Sequence, residues 1–149
     1  MMPLQNTATL VVVAATSLTS AGTAAGWIDT LGADSVAVDF NIGVTTATGA
    51  KASVIKLGEA DSTAATSSVV TITGLEGGAT DGFTIPTVNT SNPTIMRMNV
   101  DTRARKRYLY AQFAAGTGTP GAIAITATLA RLDDSTVGRA RMSGVVDKA

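Results

Sequence analysis

The sequence predicts an all-β protein, a single antiparallel β-sandwich of about eight strands, jelly-roll-like, with long loops and extended termini. Charged residues make up 15% of the 149 residues and apolar residues 45%, and Ala, Val, Thr and Gly are abundant. We interpret this as the composition of a β-rich structural protein with small side chains, in which the β-branched Val and Thr favour strands. Short segments alternate between apolar and polar residues, turn-forming clusters separate them, and no window holds a helical period of 3.6 residues. The length fits one domain over 1–149.

The first predicted strand, residues 9–15, is an apolar run that Thr16 and Ser17 interrupt. Such a run is far shorter than the roughly 20 residues that cross a bilayer. A secretory signal also needs a positively charged start, and no Lys or Arg precedes Lys51. We therefore expect a buried strand here, with neither a targeting segment nor a membrane partner.

The third strand gives the clearest alternation. In Ser35–Ile42, Val36 and Val38 share one side while Ala37 and Asp39 take the other, as in a strand with one buried face. The seventh and eighth strands alternate in the same way, and turn clusters delimit the others. In chain order, the predicted strands are residues 9–15, 24–30, 35–42, 53–59, 68–73, 95–100, 107–114 and 122–131.

Two regions lack strand alternation. Residues 74–94 are rich in Gly, Thr, Asn and Pro and predict a long loop that projects from the sandwich, a type of loop that usually carries an interaction. Residues 133–149 contain Arg139 and Arg141 and predict an extended C-terminal arm. We expect both regions, and the N-terminal end of the chain, to reach neighbouring subunits, with the two arginines at the interface.

The composition excludes several kinds of chemistry. The chain has no His and no Cys, which removes Ser-His and Cys-His dyads, His/Cys metal sites and disulfides. Acidic and basic residues balance at 11 each, so no net charge draws the chain to nucleic acid or to an anionic membrane. We expect no enzyme, no cofactor, no metal and no nucleic-acid partner.

The segment GTGTPG, residues 116–121, has the letters of a dinucleotide-binding G-x-G-x-x-G motif. That site requires a helix after the glycines, whose N–H groups meet the pyrophosphate. A strand is predicted to follow instead, and Pro120 lies inside the motif. The segment is therefore interpreted as a hairpin loop.

Acidic pairs occur at Glu59/Asp61 and Asp133/Asp134. Paired carboxylates bind hard cations or share acid and base roles. Neither pair belongs to a calcium-loop pattern, and both follow predicted strands. Solvated turns are the favoured interpretation, and a glycosidase whose carboxylates converge from distant strands is the remaining enzymatic alternative.

The basic cluster DTRARKR, residues 101–107, is the strongest local signal. In an extended segment Arg103, Arg105 and Arg107 lie on the same side, where guanidinium groups bind carboxylates at protein interfaces. A charged strand edge that resists pairing is an equal alternative, and phosphate binding is a weaker one. The single Trp, Trp27, is interpreted as a core or interface anchor, with a sugar-stacking platform as the alternative.

Three segments carry a resemblance: WIDTLGADSV at 27–36, VIKLGEAD at 54–61 and VDTRARKRYL at 100–109. Together they resemble the small head decoration, or cement, proteins of tailed bacteriophages, over roughly residues 27 to 131. Two features depart from the family pattern, Gly58-Glu59-Ala60-Asp61 in place of Glu-Ser-Asp and a missing aromatic before Ile72.

The resemblance implies a β-sandwich without catalysis, assembled as homotrimers on the outer surface of the virion head. Its partners would be the phage major capsid protein and other copies of itself, and Arg103, Arg105, Arg107 and Trp27 would supply the contacts. The alternative function from another class is a host-recognition or glycan-binding module on a tail or fibre. Against it, the chain has only six aromatic residues to form sugar platforms.

Overall fold

The described part of the chain forms eight antiparallel strands in two four-stranded sheets, which confirms the predicted all-β sandwich. The computed structural model describes residues 7–18, 22–45, 51–88, 90–116 and 121–130. Every predicted strand coincides with an observed one, and the ends differ by three residues or fewer. A single turn of 3₁₀ helix, Thr66–Ser68, is the helical part of the described chain. The strands are β1 (Thr7–Ser17), β2 (Thr23–Asp29), β3 (Ser35–Ile42), β4 (Ala52–Ala60), β5 (Val70–Glu76), β6 (Thr94–Asp101), β7 (Tyr108–Ala115) and β8 (Ala122–Ala130).

The strand order is that of a jelly roll. Sheet 1 has the order β1-β8-β3-β6, and sheet 2 has the order β2-β7-β4-β5. The first strand pairs with the last, the second with the seventh, the third with the sixth and the fourth with the fifth. The chain is thus one long hairpin rolled into two sheets, closed by the contacts of β8 with β3 and of β7 with β4.

The core lies between the sheets and is built by alternation. Phe40 of β3, Phe113 of β7 and Ile125 of β8 have no exposed surface, whereas their neighbours along each strand face outward. Since successive side chains of a strand point to opposite faces, each alternating segment contributes its apolar half to this core. The outer faces carry small and polar residues together with some large apolar ones, such as Val11 and Ile95.

Where β1 crosses near β2, the two sheets approach closely at Gly26. A Cβ at this position would lie 2.7 Å from the side chain of Val12 and 2.8 Å from its carbonyl oxygen. Only glycine permits such an approach without a backbone shift. β1 therefore packs directly against β2 at this point.

The segment 116–121 connects β7 to β8, and these strands belong to different sheets. The hairpin interpretation is therefore wrong, because alternation identifies strands but not their sheets. The glycines at its ends serve close packing: a Cβ at Gly116 would lie 2.5 Å from the carbonyl oxygen of Lys51, and one at Gly121 would lie 2.5 Å from that of Val44. Residues 117–120 lie outside the described residues.

Most of the loop predicted over 74–94 is tied to the sandwich. Residues 74–76 belong to β5, and residue 94 begins β6. Between them, Val88 is buried and Phe83 and Ile85 pack against the core, while the Gly77 N–H donates to the Ile55 carbonyl at 2.8 Å. Apolar side chains within this Gly-rich segment provide the anchors. The arm predicted over 133–149, with Arg139 and Arg141, lies outside the described residues.

Candidate functional site

The basic cluster forms a turn at one end of the sandwich. Residues 103–105 turn between β6 and β7, so the extended geometry that would align the three arginines is absent. Thr102 anchors this turn: its hydroxyl donates to the Ala33 carbonyl, and its N–H donates to the Asp34 carbonyl at 2.9 Å. The Arg105 N–H closes the turn on the Thr102 carbonyl at 3.1 Å.

Each of the four cationic side chains of the basic cluster forms an ion pair with a carboxylate of the same chain. The carboxylates come from β2, β4, the residue after β4, and β6, so the cations diverge toward different elements. The pairs are Arg107 with Asp29 at 3.0 Å, Arg105 with Glu59 at 3.6 Å, Lys106 with Asp61 at 2.7 Å and Arg103 with Asp101 at 2.5 Å. We call this set the ion-pair cluster.

Contacts within the cluster shift the pKa of several of its members. Hydrogen bonds from the side chain and then the backbone of Arg103 lower the pKa of Asp101 to about 2. Hydrogen bonding to Asp61 raises the pKa of Lys106, and hydrogen bonding to Asp29 raises that of Arg107. Asp101, Lys106 and Arg107 are therefore ionised across the physiological pH range. The acidic pair Glu59/Asp61, interpreted as a solvated turn, thus has cationic partners.

Beside the ion-pair cluster, the outer face of sheet 2 carries aromatic side chains. Trp27 of β2 lies opposite Tyr110 of β7, and their ring centroids are 4.7 Å apart at an interplanar angle of 53°. One step along the strands, Tyr108 lies opposite Asp29, and the Arg107 guanidinium is 5.0 Å from the Tyr108 ring centroid. This distance is within the range of a cation–π contact.

These four residues, Trp27, Tyr108, Tyr110 and Arg107, form one surface, which we call the aromatic patch. All are partly exposed. Trp27 is thus a surface residue, and its interpretation as a core anchor is excluded. Of the residues singled out in the sequence, the structure brings Trp27 and Arg107 together, whereas Arg103 and Arg105 point to other elements.

The patch is bounded on its far side by Val69. The residue of β4 opposite Tyr110 is Gly58, and a Cβ there would lie 2.3 Å from the Val69 Cγ1 atom. The absent side chain lets Val69 cover the strand next to Tyr110. An apolar row therefore crosses the sheet from Trp27 through Tyr110 to Val69, and Lys56 and Gln112 pair across β4 and β7 one step away.

Sequence reasoning did not identify the two tyrosines or the acidic partners as site residues. A signal for the tyrosines exists, since Tyr108 and Tyr110 alternate with the buried Leu109 and Ala111. Their outward direction is readable from the sequence, but their pairing with β2 is not. The partners of the cations depend on contacts distant in sequence, for which no local pattern exists.

A groove on the outer face of sheet 1 contains the carboxylates Asp34 and Asp101, together with Arg103. Such a pair is the arrangement in which an acid and a base could act together. A general acid at neutral pH needs a raised pKa, whereas the contact with Arg103 lowers that of Asp101. Asp101 is therefore poorly suited to act as a general acid at neutral pH.

Among the described residues no three potential ligands cluster as a metal site. In the same part of the chain, no helix has the length and apolar character to cross a membrane. The chain matches no protein-family model, no curated protein and no solved structure. Its functional interpretation therefore depends on its own residues and fold.

Proposed function

We propose that the protein is a non-enzymatic structural subunit of a virus, a decoration or cement protein on the outer surface of a phage head. The three sequence segments that resemble such proteins support this role. The jelly roll is in keeping with this role, since viral capsid proteins use the fold. The same fold also serves unrelated functions, so this support is an analogy.

The aromatic patch is the observation that carries the proposal. Trp, Tyr and Arg dominate the binding energy of protein interfaces, and hot spots cluster where such side chains meet. The patch places Trp27, Tyr110 and Arg107 on one face of a rigid sheet. We propose that this face docks on the major capsid protein, with Trp27 as its apolar anchor.

The ion-pair cluster supplies the charged rim of this contact. The side chains of Arg103, Arg105 and Arg107 remain about 65%, 38% and 48% exposed although each has a carboxylate partner. A guanidinium has five N–H donors, so each arginine retains donors for a carboxylate of a neighbouring subunit. The internal partners hold the arginines in place and lower the entropic cost of the contact.

A cement subunit stabilises a shell by engaging several neighbours at once. Each contact is modest, but linked contacts raise the effective concentration of the others. As a homotrimer, the protein would present three aromatic patches to the shell together. Because it would bind the assembled shell and not its separated subunits, it would oppose disassembly by mass action.

The decisive experiment measures occupancy on heads assembled without this protein. Trp27→Ala and Tyr110→Ala should each weaken binding by about 2 kcal/mol, roughly 30-fold. Val11→Ala, which truncates an exposed apolar side chain on sheet 1, is the matched control and should bind as the wild type does. Equal occupancy for all three folded variants would refute docking through the patch, and failure of the wild-type protein to bind heads would refute the cement role.

A second candidate function is glycan binding, as in a host-recognition module. The same Trp27–Tyr110 pair favours it, because three of the six aromatic residues share one outer face. Trp27 is the only tryptophan, so its fluorescence reports directly on this face. Saturable emission changes with a panel of neutral oligosaccharides, lost in Tyr110→Ala, would favour this function over the cement role.

A further inference from the structure

The four strands at the sheet edges differ in how well they are protected from pairing. Two register irregularities interrupt β1, and β1 packs close to β2 at Gly26. In β5, a register shift and a glycine at φ 83°, Gly74, break the edge. Bulges and register breaks of this kind are among the usual means of preventing edge-to-edge association.

By contrast, β6 has a regular and open edge. All eight of its residues pair with β3 in unbroken register, and no described strand pairs with its other side. Its outward side chains include Ile95, which is 69% exposed, and its backbone groups along this side offer a template for another strand. The edge therefore lacks the register irregularities of β1 and β5.

The outward charges of β6 select its partner. Arg97 and Asp101 lie on the outer face at either side of Asn99, and their side chains are 60% and 58% exposed. When two copies of β6 run antiparallel with Asn99 opposite Asn99, each Arg97 lies opposite an Asp101 of the other copy. A twofold axis at residue 97 would place Arg97 opposite the Arg97 of the other copy, and an axis at residue 98 would place Ile95 opposite Asp101. Neither of these registers pairs opposite charges.

We propose that two copies of this chain pair through β6, antiparallel about a twofold axis at Asn99, to form a continuous eight-stranded sheet. On the inner face the same register opposes Met98 to Val100, so that the apolar layer continues across the junction. Opposite charges and apolar pairs across strands are both stabilising. Such an isologous contact is self-complementary, as a twofold interface requires.

The proposal does not depend on the capsid role, since it concerns the purified chain. It is compatible with homotrimers, because an icosahedral lattice contains twofold as well as threefold axes. On a shell, β6 pairing would join neighbouring trimers. Docking on the shell through the aromatic patch uses the other sheet, so that both contacts can form at once.

The absence of cysteine from the wild-type chain makes the register directly testable. Directly opposed residues of antiparallel strands have Cβ atoms about 4.5–5.5 Å apart, close to the spacing of a disulfide. Asn99→Cys should therefore give a covalent dimer on mild oxidation, seen on a non-reducing gel. Ile95→Cys is the matched control on the same exposed strand; its symmetry mate lies roughly 27 Å away at about 3.4 Å per residue.

Equal dimer yields from the two cysteine variants would overturn the pairing. A higher yield from Arg97→Cys than from Asn99→Cys would overturn the proposed register. Asn99→Lys provides an independent measurement because it opposes two like charges at the axis. Its self-association in sedimentation velocity should fall at least tenfold, whereas Thr7→Lys, on the far edge of the sheet, should associate as the wild type does. Unchanged association of Asn99→Lys would also contradict the proposal.

Discussion

Arg97 of β6 binds Asp39 of β3 through two hydrogen bonds, Nε to Oδ1 at 2.7 Å and Nη2 to Oδ2 at 2.8 Å. The two residues are directly opposite in the register. The Asp39 side chain is only 13% exposed although it lies on an outer face, whereas that of Arg97 is 60% exposed. The planar guanidinium thus covers the carboxylate and satisfies both of its oxygens.

Removing Arg97 alone should destabilise the protein more than removing the charges of both Arg97 and Asp39. Arg97→Met leaves a largely buried carboxylate without its donors, and we expect a loss of about 1–3 kcal/mol in the free energy of unfolding. Adding Asp39→Asn to Arg97→Met should recover part of the loss, because the unpaired charge is removed. Urea denaturation of the single and double variants measures both effects, and a double variant less stable than Arg97→Met would contradict this account.

The Asp101–Arg103 contact should make stability depend on pH in the acid range. The pKa of Asp101 is about 2 in the folded chain, below its ordinary value of 3.8. A lowered pKa contributes stability that is fully present above the ordinary value and is lost as the pH falls toward the folded value. The contribution should therefore disappear between about pH 4 and pH 2.

The comparison of wild type with Asp101→Asn tests this dependence. The difference between their urea midpoints should be constant above pH 5, shrink below pH 4 and vanish near pH 2. Asp81→Asn, which changes an exposed carboxylate in the loop after β5, controls for the general effect of removing an acidic residue. A difference that persists unchanged at pH 2 would show that Asp101 does not act through its charge.

The strands of this fold can be predicted from the sequence because the alternation of apolar and polar residues in each strand shows which of its faces is buried. In β3, Val36 and Phe40 are buried while Ala37 and Asn41 face outward, and the same alternation delimits β7 and β8. Strand pairing is recorded less clearly. The connection through Gly116 and Gly121 has the residues of a hairpin but crosses between sheets, since close packing against the Lys51 and Val44 carbonyls also demands glycine.

The candidate site illustrates the same limit. The basic cluster is evident in the sequence, but its meaning depends on Asp29 and Glu59, which reach it from β2 and β4. A charge run appears as an open surface when its partners are distant in the chain. Likewise, Trp27 gains significance from Tyr110, and that contact depends on the pairing of β2 with β7.

Two glycines should respond differently to the same substitution. At Gly58, the nearest obstacle to a Cβ is the Cγ1 atom of Val69 at 2.3 Å, whereas at Gly26 the obstacles include the Val12 carbonyl oxygen at 2.8 Å. Both alanine variants should lose about 1–3 kcal/mol through overpacking. Val69→Ala should rescue most of the loss in Gly58→Ala, where the remaining obstacle is the Val70 carbonyl oxygen at 3.1 Å. Val12→Ala should fail to rescue Gly26→Ala, because truncating a side chain does not move a backbone oxygen.

Thermal denaturation of the two glycine variants and of the two double variants decides between these outcomes. Val69→Ala and Val12→Ala alone provide the reference for the lost methyl groups, so that coupling within each pair can be extracted from a double-mutant cycle. We expect favourable coupling for the pair at Gly58 and none at Gly26. Equal coupling at both sites would mean that the Val12 carbonyl does not limit the approach of the two sheets.

Thr102 should control the order of the ion-pair cluster. Its buried hydroxyl donates to the Ala33 carbonyl, and its own carbonyl accepts from Arg105. Thr102→Val preserves the shape of the side chain but leaves the Ala33 carbonyl without its hydroxyl donor. The free energy of unfolding should fall by about 1–3 kcal/mol. Thr102→Ser retains the hydroxyl and should lose less stability.

Hydrogen exchange should show faster exchange of the Arg105 N–H in Thr102→Val than in Thr102→Ser, because the Thr102 hydroxyl holds the turn at one end. Equal exchange rates in the two variants would mean that the carboxylate partners alone are sufficient to order the turn.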